Sequence, residues 1–362
     1  MRSIGIASLV IVPIAALLIG HATPAQAQRR IFTFSADTIL VVGDSPEIEI
    51  ENQSGDVTVV RGEKHTVRIT ERRLIPAADS VFAETFLKEA RVDYDLHGNR
   101  LRIRASVGRS ARERMFAGGL FGLHEQERGK INLEIQVPEA SNLEIFTASG
   151  DQTIRGIDGT VRTQSASGRQ DLKNLRGQLS AASATGNVAV SDCDASVNVE
   201  VSSGRITIEN LNGDGSLQST SGDITVRRAR GDLSVKASSG DLLVDDLGGS
   251  LKTRSTSGGV ITHHHRGRFD AHTGSGDVEL EAASGPGESA IVRTGSGDIS
   301  LTWPPDEGGT LEIYPGSGTV KDDLGVPWET RSRRLYRGRV GDGAFQVRIE
   351  TGSGDVWIRG LP

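Results

Sequence analysis

A Ser-Gly or Thr-Gly step returns at one constant interval from Ser149 to Asp277, at Gly150, Gly168, Gly186, Gly204, Gly222, Gly240, Gly258 and Gly276. Seven equal intervals constrain the fold more than any other feature. A short constant period means that one structural unit stacks on the next, each burying a face that its neighbour supplies. The unit from Gly222 to Gly240 divides into two nine-residue halves, Asp-Ile-Thr-Val-Arg-Arg-Ala-Arg-Gly and Asp-Leu-Ser-Val-Lys-Ala-Ser-Ser-Gly. Each half is a short apolar/polar alternation closed by a glycine-bearing turn. Period-2 alternation is the strand signal, and neither half is long enough for a helix.

Columns agree between repeats. Two residues after the motif glycine stand Val188, Ile206, Ile224, Leu242, Val260 and Val278; four after it stand Ile154, Leu172, Val190, Ile208, Val226, Val244 and Leu280. On the second strand Val161, Leu179, Val197, Leu233, Leu251 and Phe269 alternate with polar residues such as Arg162, Asn198, Lys252 and Asp270. Each strand thus has an inward and an outward wall, and the walls align when coils stack in register about 4.8 Å apart. The prediction is an all-β parallel β-solenoid of two strands per 18-residue coil. By the same alternation, the hydroxyl column Ser149, Ser167, Thr185, Ser203, Ser221, Ser239, Ser257 and Ser275 is expected to point inward at a corner.

The ends of the chain depart from this rule. Residues 1–27 read as a secretory leader, with Arg2, the apolar run Ile4–Ile19 and the small-residue box Ala25-Gln26-Ala27. The run is short of the ~20 residues that a membrane span needs, so the exported chain is not expected to be integral to the membrane. Residues 28–61 hold a first coil, in which Ile48, Ile50, Ser54 and Gly55 match the spacing of Leu143, Ile145, Ser149 and Gly150. Residues 62–140 form an excursion: strand-like Thr66–Arg72 and Arg91–Ala105, a short helix near Ala78–Ala90, and the loop Gly108–Gly129 with Met115, Phe116, Leu120 and Phe121. It suits an end cap, because an open coil exposes strand edges and core. Residues 141–362 carry the solenoid. Its later spacings loosen to 21 and 36, at Gly297, Gly318 and Gly354. Insertions with Pro304-Pro305, Pro327-Trp328 and Arg331–Arg339 fit turns and a C-terminal cap.

The recurring Ser-Gly-Asp-hydrophobic-x-hydrophobic unit carries a family resemblance. It stands at Ser54-Gly55-Asp56-Val57, Ser149-Gly150-Asp151, Ser221-Gly222-Asp223-Ile224, Ser239-Gly240-Asp241-Leu242, Ser275-Gly276-Asp277-Val278, Ser296-Gly297-Asp298-Ile299 and Ser353-Gly354-Asp355-Val356, with the lead-in Ile135-Gln136-Val137-Pro138. The chain resembles a bacterial domain-of-unknown-function family described as putative adhesins, secreted or envelope-associated β-solenoids. The resemblance runs from about Glu47 to the C-terminus apart from the excursion, and it implies no catalytic residues. Arg169, Asn187, Arg205, Gly259 and Thr319 replace the motif aspartate.

Chemistry finds little foothold. Calcium-binding rolls need aspartates on both sides of every turn, whereas here one comes per coil and Arg169 and Arg205 interrupt the column. Those arginines are expected to pair with Asp151 and Asp223. His263, His264 and His265 with His272 form the one histidine cluster; His263 and His265 are expected on one face and His264 on the other, with no cysteine or patterned carboxylate to complete a metal site. They are expected to be solvated turn residues, although His265 falls in an apolar corner column. Cys193, the single cysteine, falls in that same column with Ile157, Leu175, Leu211, Ala229 and Leu247 and is expected to be a buried small hydrophobe rather than a nucleophile. A polysaccharide-cleaving β-helix would need clustered outward carboxylates and aromatic platforms, yet Trp303, Trp328 and Trp357 all lie near the C-terminus. An ice-binding solenoid would need an outward hydroxyl ladder free of charges.

The sequence therefore predicts a secreted or cell-envelope, adhesin-like scaffold with no catalytic, cofactor-binding or metal residues and no cofactor. A net charge of −6 with no basic aromatic stripe gives no sign of nucleic-acid binding. The partner class is an envelope or extracellular protein or glycan, with self-association left open. The alternatives are a polysaccharide-active β-helix enzyme or a calcium-binding repeat protein.

Overall fold

The structure, a computed structural model, describes residues 30–77, 79–107, 129–282, 289–304 and 308–361. The expected leader, and the expected loop up to residue 128, lie outside the described residues. The chain forms two compact units, Met1–Gly177 and Gln178–Pro362.

The first unit holds β1 (Arg30–Val41), β2 (Glu47–Ser54), β3 (Val57–Arg61) and β4 (Thr66–Ala77), then helix α1 (Ser80–Leu87). After the helix come β5 (Ala90–His97), β6 (Arg100–Val107), β7 (Lys130–Val137), β8 (Asn142–Ser149), β9 (Gln152–Arg155), β10 (Asp158–Ser167) and β11 (Gln170–Lys173). The coil β2–β3 lies on the coil β8–β9 in the register its sequence foretells: Ile48 faces Leu143, Ile50 faces Ile145 and Ser54 faces Ser149. The stretch read as an excursion supplies a coil of its own. β6 runs parallel to β2, and β7 runs parallel to β3. The first coil in sequence is therefore second in space. Beyond it, β4 and β1 continue one sheet antiparallel, and β5 closes the other against β6. α1 brings Ala83 and Leu87 onto Ile75 and Ala77, together with Phe32 and Phe34 of β1.

In sequence β12 (Arg176–Thr185) leads to the second unit. There follow β13 (Val188–Ser203), β14 (Ile206–Asn212), β15 (Gly215–Ser221), β16 (Ile224–Arg230), β17 (Leu233–Ser239), β18 (Leu242–Gly248), β19 (Leu251–Ser257), β20 (Val260–His265) and β21 (Phe269–Thr273). The series ends with β22 (Val278–Ala282), β23 (Ser289–Thr294), β24 (Ile299–Trp303), β25 (Gly309–Tyr314), β26 (Val320–Asp322), β27 (Trp328–Arg331), β28 (Tyr336–Val340), β29 (Phe345–Thr351) and β30 (Val356–Gly360). Through the regular coils every second strand pairs in parallel at an offset of one repeat, as in Ile206–Ile224–Leu242–Val260. The predicted columns are the core: Ile208, Val226, Val244 and Leu217, Leu233, Val235 are at most 2% exposed. The C-terminal end repeats the reversal seen at the start of the chain. β29 inserts between β23 and β25, and β30 inserts between β24 and β26. The glycines consequently stack in the order Gly276, Gly297, Gly354, Gly318, not in sequence order.

Two backbone devices make the corners. Six residues after the motif glycine, Asn174, Asp192, Asn210, Arg228, Asp246 and His264 all have φ between 52° and 57°. That left-handed residue shifts the alternation by one, which turns the next residue inward: Leu175, Cys193, Leu211, Ala229, Leu247 and His265 are all buried. The second corner uses Gly159, Gly177, Gly213, Gly231 and Gly267, with φ from 99° to 156°. Ala195 holds that position in one coil without a positive φ, and there the strand runs unbroken for 16 residues as β13.

Candidate interaction surface

The motif aspartate has a structural task. Its carboxylate accepts the backbone N–H of the equivalent residue one coil on: Arg169 donates to Asp151 (2.8 Å), Asp241 to Asp223 (3.3 Å), Gly259 to Asp241 (2.8 Å) and Asp298 to Asp277 (2.8 Å). Asn132 and Asn187 accept in the same way from Asp56 (3.0 Å) and Arg205 (2.9 Å), so the column needs an acceptor oxygen and not a charge. The second corner repeats the device with Asp214 and Asp232, which accept from Asp232 and Ser250. Thr319 needs no carboxylate. It donates to Asp355 at the end of the stacking order, with no described coil beyond it. Of the two expected charge pairs, Arg205 reaches Asp223 at 3.6 Å, while Arg169 meets Asp151 through its backbone N–H.

The hydroxyl column at the motif serine corrects the inward expectation. From Thr185 through Ser203, Ser221, Ser239 and Ser257 to Ser275 it is exposed, and Ser149 and Ser167 are half-buried. The strand bends after its last inward residue, so the two residues before the glycine both face water. Inward polar groups sit two positions earlier, where they bond backbone: Ser219 donates to Gly222 O (3.1 Å), Thr294 to Gly276 O (3.2 Å), and Gly297 N–H to Thr294 Oγ1 (2.9 Å). A buried hydroxyl without such a partner costs about 1–3 kcal/mol.

The outward walls are charge-paired. In the first unit Glu47, Glu49 and Glu51 of β2 face Arg100, Arg102 and Arg104 of β6 in register. Arg102 donates to Glu49 at 2.6 Å, Arg100 approaches the same carboxylate at 3.6 Å, and Arg104 lies 3.5 Å from Glu51. Partial burial pushes the Glu49 carboxyl up, but the Arg102 hydrogen bond and both guanidinium charges outweigh it and hold it below the usual range. This wall borders a groove of about 930 Å³ that also meets Asp93, Glu144 and Phe146. In the second unit a groove of about 620 Å³ runs along the second corner, lined by Ser216, Asp232, Ser234, Ser250, Lys252 and Arg268. Nearer the C-terminus, Glu350 receives both Arg293 and Arg348, and Trp357 lies under Lys321 and Arg359.

The remaining sequence candidates divide. Cys193 is 2% exposed and its Sγ lies 3.2 Å from Ser191 O, as its column foretells. The histidine expectation needs correction. The positive φ of His264 puts it outside with His263, and both meet Glu281, at 3.8 and 3.0 Å. His265 goes inside against Phe269 at 5.7 Å, where burial lowers its pKa; it is not a solvated turn residue. Asp245, at 3.2 Å, raises the pKa of His264 through a hydrogen bond. Among the described residues no group of three or more His, Cys, Asp or Glu is arranged to hold a metal. Trp303 is buried on edge against Phe345, and Trp328 packs on Tyr336.

Sequence reasoning misses two features. One is the Arg/Glu wall, whose partners lie 53 residues apart; the matched period-2 runs of Glu and Arg are its only signal. The other is a trio in the first unit, in which the Glu71 side chain is buried and Arg73 and Tyr94 are half-buried. Burial raises the Glu71 carboxyl pKa against the pull of Arg73 at 2.8 Å, and burial beside Glu71 raises Tyr94. Arg73 also donates to Ala90 O at 2.8 Å, which ties β4 to the start of β5. The trio works as a clasp on the cap.

A family model, Toastrack DUF4097, matches residues 45–246 and 192–359. Among solved structures the chain is similar to a putative adhesin from Parabacteroides distasonis ATCC 8503 (13% identity, 89% of this chain and 96% of that one, TM-score 0.38). It is also similar to a putative lipid binding protein from the same organism (12%, 89% and 96%, 0.35). A third likeness is to a putative cell adhesion protein from Clostridium sporogenes ATCC 15579 (10%, 90% and 100%, 0.19). No curated protein matches.

Proposed function

Given that this chain belongs to the Toastrack DUF4097 family, we propose that it is a non-catalytic, adhesin-like scaffold exported to the cell envelope, where its walls engage an envelope or extracellular protein or glycan. The observation that carries this reading is where the repeated residues are spent. Glycine permits close stacking, and aspartate caps the next coil. The motif thus builds a stiff stack and leaves variation to the outward walls. Those walls present paired charges, hydroxyls and shallow grooves, a surface suited to contact over many coils. The 1–27 leader supports export.

Cell fractionation, with co-sedimentation of the purified protein on envelope preparations, tests both halves. The expected result is protein cleaved after the leader in the periplasmic, envelope or external fraction, with sedimentation that weakens as salt rises. Uncleaved protein in the cytosol overturns export. Turnover of an acidic polysaccharide that vanishes on substituting one outward residue overturns the non-catalytic reading.

A further inference from the structure

Four strands have a single partner among the described residues: β1, β5, β26 and β27. An unpaired strand edge is a template for another chain, and proteins blunt such edges with short length, charge, Pro or bulges. β26 and β27 are three and four residues long. β5 alternates Arg91, Asp93, Asp95 and His97 along one side. β1 has less of this protection: its charged residues are Arg30 at one end and Asp37. It has 12 residues without Lys or Pro, and its register with β4 runs from Arg30 to Val41 without a bulge. Its outer face also carries Ile31, Ile39 and Val41, exposed by 71%, 49% and 64%.

We propose that β1 is a homodimerisation edge, which pairs antiparallel with β1 of a second copy about a two-fold axis through Ala36. The strand is self-complementary in that register. Ile31 faces Val41 of the partner, Thr33 faces Ile39 and Ser35 faces Asp37; on the inner side Phe32 faces Leu40 and Phe34 faces Thr38. Ile31 with Val41 and Phe32 with Leu40 are apolar pairs, the β-branched Thr33 and Thr38 lie opposite Ile39 and Phe34, the Ser35 hydroxyl lies opposite the Asp37 carboxylate, and no charges of like sign lie opposite. A shift of the pairing by two residues in one direction sets Asp37 against itself, which like-charge repulsion disfavours. A shift in the other direction leaves Val41 unpaired. A two-fold interface asks only that one patch complement itself, and β1 meets that condition with main-chain bonds supplying the affinity. The dimer would double the wall surface of the scaffold, so weak contacts on each copy would act together. The inference does not depend on what the walls bind.

The test is the solution mass of the purified protein at micromolar concentration, by light scattering after size exclusion. Wild type should have twice the mass of the chain, and the I31K/I39K double variant should have the mass of one chain with unchanged circular dichroism. Register is read in a C193A background: under oxidation A36C should cross-link to dimer, while A189C, on an outward position of the second unit, should not. A monomeric wild type overturns the inference, including one whose β1 amides resist hydrogen exchange because another part of the same chain covers the edge. A dimer that survives I31K/I39K overturns it as well, and so does a dimer in which A36C fails to cross-link.

Discussion

Gly222→Ala should be among the most damaging single-methyl changes in the second unit. Gly222 has φ +140°, and a Cβ placed on it would lie 2.0 Å from the carbonyl oxygen of Gly204 and 2.7 Å from its carbon. Relief to an ordinary contact of about 3.4 Å requires the coils to part locally by over 1 Å, a large fraction of the ~4.8 Å strand spacing. The bonds that cross this corner, Gly204 N–H to Ser221 O at 3.1 Å and Ile206 N–H to Asp223 O at 3.0 Å, would be lost. Backbone strain of about 1–3 kcal/mol and two hydrogen bonds near 1 kcal/mol each give a cost of about 3–5 kcal/mol. Gly325 in the same unit is the control, since it has φ +76° with nothing within 4 Å of its ideal Cβ. Gly325→Ala should pay only the left-handed penalty, ~1–2 kcal/mol. Urea unfolding followed by circular dichroism measures both. If the two variants lose equal stability, the close stacking of coils at the glycine is not what excludes a side chain.

Two further outcomes follow from the corner and the core. Asp241→Ala should cost about 1 kcal/mol by stranding the Gly259 N–H, and Asp241→Asn should be nearly neutral because it keeps the acceptor; an Asn variant as weak as Ala in thermal melts would mean that the charge matters. His265→Leu should stabilise the protein by restoring the apolar column, and the gain should grow as pH falls. Burial holds the folded-state pKa of His265 below its unfolded value near 6.5, so below about pH 6.5 the unfolded chain takes up a proton that the folded chain refuses, and wild type loses stability. Urea midpoints from neutral to mildly acidic pH test this, and a gain independent of pH would refute the burial of a neutral ring. His264 works in the opposite direction in both proteins, because its folded-state pKa is raised, and it cancels in the comparison.

What sequence can and cannot reveal divides along a physical line. Parity propagates through a straight strand, so spacing alone places Val188, Ile206, Ile224 and Leu242 inside, and they pair in that register. Cys193 is legible too, because its column is read across repeats and not by counting along one strand. Parity fails at a corner. Alternation misplaces the serine column because it runs on through a bend, and it misplaces His264 because it runs on through a left-handed residue. The hydrophobic pattern marks neither. The signal that does mark the second is the column of Asn174, Asp192, Asn210 and Asp246, since Asn and Asp tolerate the left-handed region better than other residues with a side chain. Weighed as turn formers, they make the phase shift before His265 legible.

The order of coils at the two ends raises a different difficulty. Repeat spacing reports which segments can form a coil, whereas their order in the stack depends on which edges match. At the start of the chain the match is electrostatic: β6 brings Arg100, Arg102 and Arg104 against Glu47, Glu49 and Glu51. Register there is strongly specified, because a slip by one residue would turn the charges inward and the apolar residues Leu101 and Ile103 to solvent. At the other end Ile299 pairs with the distant Val356, ahead of Val320, which is nearer in sequence. In both places the segment at the end of the repeat series is held between two parallel strands instead of lying at the edge. Stability in a stack is nearly a sum over neighbours, so a coil with two neighbours frays less than one with a single neighbour. The exposed position passes to strands that are short or charged along one side, and at β1 to a 12-residue strand whose outer face is mostly apolar and hydroxyl, with one carboxylate at Asp37.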